Sequence, residues 1–121
     1  MFLLNFPEGL PEQEVAPGVV FRVAWGERLM AAHCIIEPQG SMPLHSHPHE
    51  EMEYIIEGEF RFTLGSETAT LRKGDAYLAP ANMKHGGTSG DQGAVILAVF
   101  SPPREEYKLK HAEERYTPPG H

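Results

Sequence analysis

The chain is 121 residues long, with 17 acidic against 10 basic side chains and a formal charge of −7. One cysteine excludes an internal disulfide, no basic run of five residues marks a nucleic-acid or anionic-membrane surface, and no apolar run nears the ~20 residues of a membrane span. The length suits one domain with one core, and 12 glycines with 11 prolines favour short strands joined by turns over a helical bundle.

Residues 1–18 are rich in Pro, Glu and Gly and predict an arm or edge strand with loops. They lack the basic and apolar segments of a signal peptide, so a cytoplasmic location is expected. The stretch 19–25 predicts a strand, and Gly26-Glu27 a turn. The stretch 29–36 predicts a second strand, and its near-continuous apolar character predicts burial on both faces. It carries Cys34, read as a buried, inert thiol, and His33, read as a satisfied wall histidine. A turn follows over 37–40. Further strands are predicted over 52–56, 60–64, 68–72 and 76–79, ended in turn by Gly58, Gly65, Gly74 and Pro80. Tyr54, Phe60, Phe62 and Tyr77 are expected to fill the core, the alternative for some of them being the pocket wall. A loop carries His85, and 94–100 is the last strong strand. The tail 102–121 predicts at most a polar helical turn or two, over 105–115. Together these elements predict an all-β barrel or sandwich spanning about 19–101.

The chemistry concentrates at His45-x-His47. On an extended segment residues two apart point to the same side, so both imidazoles can reach one ion. Glu51 follows past Pro48 and can close a third position; antiparallel pairing can bring the distant His85 alongside. Three imidazoles and a carboxylate, with positions left open, suit one divalent metal ion: Zn, Ni, Mn or Fe(II). Taken alone, histidines in a proline-rich loop are as readily explained as solvated side chains.

These residues resemble the two motifs of the cupins. The first, H-x-H-x(3,4)-E-x(6)-G, is met by His45, His47, Glu51 and Gly58. The second, G-x(5)-P-x-G-x(2)-H-x(3)-N, is met by Gly74, Pro80 and His85, with Asn82 in the glycine place and Ser89 in the asparagine place. Asparagine tolerates the left-handed backbone a glycine would supply there. Gly40 stands one residue closer to His45 than is usual in cupins. The resemblance covers about 29–100 and implies a double-stranded β-helix, the jelly-roll barrel. It also implies His45, His47, Glu51 and His85 as ligands of one metal ion.

Strand alternation from Glu51 sends Glu53 to the same face, where it is either a carboxyl that moves a proton or a rim residue. The region 95–107, with 45–50, is similar to cupins of pectin and alginate breakdown, which open unsaturated uronate rings to the linear keto form. Phe100 and Arg104 match that pattern. Ala98 stands where those cupins carry an acid, and Glu51 where they tend to carry glutamine. Arg104 is the candidate for holding a substrate carboxylate; the alternative is surface pairing with Glu105 or Glu106. The leading expectation is a metal-dependent lyase or isomerase acting on a small carboxylated, sugar-like molecule, with Glu53 and Arg104 catalytic. An Fe(II)-dependent dioxygenase and a non-catalytic ligand-binding barrel are the alternatives. The resemblance also implies a homodimer through sheet edges.

Overall fold

The computed structural model describes residues 5–109. Its strands are β1 (Gln13–Ala16), β2 (Val19–Trp25), β3 (Met30–Ile36), β4 (Ser41–His45), β5 (Glu50–Leu64), β6 (Glu67–Arg72), β7 (Ala76–Ala79) and β8 (His85–Ser101). A short helix, α1 (Glu105–Leu109), follows. All pairings are antiparallel, in the order β1-β2-β3-β8-β5-β6, with β4 added to β8 and β7 to β5.

The two long strands organise the molecule. One half of β5 pairs with the end of β8 (Glu50↔Ser101 to Ile55↔Ile96), the other half with its beginning (Phe60↔Ser89 to Leu64↔His85). Register shifts separate the halves, between Ile55 and Glu57 and between Gly58 and Phe60. The strands therefore bend together and serve two layers. One layer continues through β3 and β7, the other through β4 and β6. This is the jelly-roll barrel that the sequence implies.

The bend depends on glycine at two facing places. Gly58 has φ 81° and Gly93 φ 75°. A Cβ on Gly58 would collide with the Gly93 carbonyl oxygen, and one on Gly93 would stand 2.6 Å from the Ile36 carbonyl oxygen. Gly58, expected to end a strand, thus forms a bulge inside one.

The core follows period-two alternation. Val19, Phe21 and Val23 of β2 point inward, with Cys34 and Ile36 of β3 and Ile96 and Phe100 of β8. Phe60, Phe62 and Tyr77 join them as expected. Two expectations fail. β3 is buried on its inner face only, and Ile35 on the outer face is 47% exposed. Tyr54 is not in the core but 41% exposed on the outer face of β5.

Two elements lie where loops were expected. His85-Gly86-Gly87 opens β8, and 41–45 forms β4 despite its central Pro43. Proline is tolerated there because β4 pairs with β8 alone and skips register between Met42 and His45. The helical turn expected over 105–115 is present as α1; residues 110–115 lie outside the described residues. Among the described residues no helix is long and apolar enough to cross a membrane.

Candidate metal centre

Four side chains converge at one end of the barrel. His45 closes β4, His47 follows in the next loop, Glu51 is the second residue of β5 and His85 the first of β8. His45 and His85 are direct cross-strand partners. One donor atom from each of the four lies within 4.8 Å of the others. His47, Glu51 and His85 are buried and His45 is half-buried.

The hydrogen bonds fix which nitrogen of each ring faces the centre. Nδ1–H of His45 donates to the Pro43 carbonyl (2.7 Å), that of His47 to the His49 carbonyl (3.0 Å) and that of His85 to the Met83 carbonyl (2.9 Å). A carbonyl only accepts, so in the neutral rings Nε2 carries a lone pair. Yet Nε2 of His47 and of His85 both stand 3.0 Å from Oε1 of Glu51. Lone pairs thus crowd around one point, and only a proton or a cation reconciles them. Three imidazole nitrogens and a carboxylate oxygen, each ring held by a backbone carbonyl, form a donor set that fits a divalent ion.

The electrostatics agree. Burial lowers the affinity of His45 for a proton, which favours the neutral, ligating form. Burial acts the same way on His85, but hydrogen bonds to Glu51 and to the Met83 carbonyl outweigh it and raise its pKa. Burial would raise Glu51; hydrogen bonds from Glu53, His47 and His85 instead hold it below the ordinary carboxylate range.

Glu53 shares the pocket. Burial and the hydrogen bond with Glu51 push its pKa well up, so the proton of this carboxyl pair resides on Glu53. Its Oε2 accepts a 2.7 Å hydrogen bond from the Tyr77 hydroxyl. Burial above all raises Tyr77 and keeps it a phenol. Tyr77 was read from the sequence as core packing, with the pocket wall as the alternative; it is packing, stacked on Phe62 at 4.5 Å, and also a donor into the site.

Arg104 lines the same pocket as His45, Glu51, Glu53 and Tyr77. Its guanidinium lies 4.6 Å from the Tyr107 ring centroid and 5.3 Å from that of Phe100. Nη2 pairs with Glu106 at 3.1 Å, whereas Nε is buried without a partner. Arg104 thus forms the expected pair with Glu106 and also lines the pocket. Ala98 lines the pocket too, and Glu53 is its direct cross-strand partner.

The remaining motif residues are structural. Asn82 has φ 67° and donates its amide to the His47 carbonyl at 2.7 Å, tying the 80–84 loop to a site histidine. Ser89 pins the turn before β4, its Oγ accepting from the Gly40 amide at 3.0 Å. Cys34 is buried and its thiol is pushed up, first by burial and then by Glu53 and Glu51, so it stays protonated. His33 is half-buried on the outer face, edge-on to Phe6 at 6.2 Å, and its Nδ1 has no partner, so it is not the satisfied histidine expected. His49 contributes its backbone carbonyl to the site and Glu50 is exposed.

Comparison with known proteins agrees with this geometry. A sequence model of the Cupin_2 family, described as a cupin domain, matches residues 32–100. The pectin degradation protein KdgF of Dickeya dadantii is 31% identical over 100 residues, covering 80% of this chain and 90% of that protein. The structure of KdgF from a Halomonas species superposes with a TM-score of 0.80 at 28% identity, over 88% of this chain and 97% of the other. An RmlC-like cupin from Shewanella frigidimarina matches over the same shares with a TM-score of 0.80; at 24% identity it speaks for the fold alone.

Proposed function

Because the chain belongs to the cupin domain family, we propose that it is a metal-dependent enzyme of lyase or isomerase type, acting on a small carboxylated, sugar-like molecule. The observation that carries this reading is the pairing of Glu53 with Ala98. The similar cupins of pectin breakdown carry an acid at the Ala98 position. Here the carboxyl stands on the neighbouring strand, in the same rung and the same pocket, and holds a proton. The pectin degradation protein among the relatives supports the substrate class, since pectin is built of carboxylated sugars.

In this reading His45, His47 and His85 hold the ion through Nε2, and Glu51 through Oε1. When bound, the ion supplies Lewis acidity toward a carbonyl or hydroxyl oxygen. Arg104 offers its free Nε to the substrate carboxylate, its stem fixed between Phe100 and Tyr107. Glu53 exchanges a proton with the substrate, and Tyr77 holds Oε2 of Glu53 in one orientation. The walls, Phe60 among them, limit water access to that exchange.

The test is a screen of unsaturated uronates with protein loaded separately with Zn, Ni, Mn or Fe(II). Turnover that falls about a hundredfold or more in Glu53→Gln at unchanged metal content is expected. Unchanged turnover would remove Glu53 from the mechanism. Oxygen consumption by the iron form without uronate turnover would replace the reading with a dioxygenase. Protein that neither retains nor takes up a metal would remove the centre itself.

A further inference from the structure

The pocket at the metal centre is too tight for a sugar. Its free space is about 20 Å³, room for little more than one water. A bound small molecule occupies a pocket of at least about 300 Å³. To admit one, a wall has to move. Every residue lining the pocket sits on a paired strand except Arg104 and Tyr107, which belong to α1 and the residue before it. Little ties that wall to the barrel. Pro102 and Pro103, which lead into α1, have no amide N–H to give to the sheet. The segment's own polar bonds close on itself: Arg104 with Glu106, Lys108 with Glu105, and the Tyr107 amide with the Arg104 carbonyl. Against the barrel it sets the Tyr107 ring, edge-on to Phe21 at 5.1 Å, and the Lys108 ammonium, 5.6 Å from the Trp25 ring centroid.

Among the described residues one hydrogen bond joins barrel and α1: Nε2 of Gln13, on β1, donates to the Tyr107 carbonyl at 3.1 Å. Gln13 is 4% exposed, and its Oε1 has no partner. A carbonyl only accepts, so the amide cannot turn to relieve Oε1 without losing the Tyr107 bond. A buried unpaired acceptor is a cost that an apolar side chain of the same length would avoid. Gln13 is therefore poorly explained as packing and well explained as a catch on α1. Nε of Arg104, in the segment it holds, is likewise buried and unpaired, a donor that a ligand carboxylate would satisfy. We propose that Arg104–Leu109 is the door of the metal pocket and that Gln13 is a positioning residue, the latch that holds the door shut over a carboxylated ligand. The inference rests on the reading of Arg104 as the carboxylate holder. An open door admits the ligand; its carboxylate favours the shut state, so ligand and latch strengthen one another.

Trypsin and fluorescence on the zinc-loaded full chain test it. Cleavage after Arg104 and after Lys108 reads the open door, and emission from Trp25, the sole tryptophan, reads the docking of Lys108. Galacturonate should slow cleavage at both sites, and the neutral sugar galactose should not. Gln13→Met keeps the length and removes the donor. It should speed cleavage without ligand, shift the Trp25 emission and bind galacturonate about tenfold more weakly, with a Tm at or above that of wild type. Wild-type cleavage, emission and affinity in Gln13→Met overturn the proposal. So does a Tm well below wild type, which makes Gln13 a packing residue. Protection by galacturonate without turnover of unsaturated uronates would uphold the latch and remove only the reaction. Turnover without protection would remove the latch and leave the reaction.

Discussion

Every imidazole in the centre is oriented by a carbonyl from its own loop, two residues away: Pro43 for His45, His49 for His47, Met83 for His85. The rings are thus aimed before any ion arrives, and proton and ion compete for the same Nε2 lone pairs. Metal binding should therefore fail on the acid side. His85, whose pKa is raised, takes a proton before His45, whose pKa is lowered, as pH falls. Occupancy in dialysis against buffered zinc is expected to be full above about pH 7.5 and lost below about pH 5. Full occupancy at pH 4.5 would mean that the imidazoles are not the ligands. Arg104 is the second residue-scale case. Arg104→Lys keeps the charge but loses the planar Nε, and should weaken a carboxylated substrate by about 1.5–3 kcal/mol, read as a ten- to hundredfold higher KM with a smaller change in kcat. Much of this site is legible in sequence, because His45-x-His47 and Glu51-x-Glu53 need only strand alternation to place them. Tyr77 is not. Its alternation says only that it points inward, and its partner Glu53 stands 24 residues away, brought opposite by the register of β5 on β7.

At the level of the element, the double use of β5 and β8 decides the architecture, and Gly58 against Gly93 decides the bend. Gly58→Ala would force a side chain into positive φ and against the Gly93 carbonyl, at a cost of about 2 kcal/mol or more. Gly26 is the matched control: a Cβ there meets nothing within 4 Å, so Gly26→Ala should stay within about 0.5 kcal/mol of wild type. Chemical denaturation of the two variants checks both, and equal stabilities would contradict the bulge. Sequence showed these strands as separate pieces because a glycine in a bulge and a glycine in a turn look alike along the chain; the difference lies in the partner strand. β4 escaped for a related reason. Four of its five residues, Ser41, Met42, Pro43 and Leu44, show no alternation, since the strand is exposed or half-buried throughout. The apolar run at 29–36 misled in the opposite direction. It matches a strand buried on both faces, but here the second face is only partly covered, with Ala31 and His33 half-buried and Ile35 exposed.

For the whole molecule, the centre acts as a clasp. Its donors come from β4, the loop after it, β5 and β8, so an ion ties together strands from both layers. It binds the folded chain and not the unfolded one, and free metal at about a hundred times its dissociation constant should add about 2.7 kcal/mol of stability. In a chain of this length that is a rise in Tm of about 10 °C, reversed by chelation and absent in His47→Ala. The size of the rise should depend on pH. In chelated protein the crowded lone pairs must be relieved by protons. The raised pKa of His85 then stabilises the fold fully below the ordinary value of 6.5, and that contribution is lost as pH rises through the folded value. Metal-loaded protein has the reverse dependence, because deprotonated imidazoles bind more tightly. The Tm gap between loaded and chelated protein should therefore widen from about pH 6 to pH 8. A gap that is constant across that range would show that His85 does not exchange a proton for the ion, and would take it out of the ligand set.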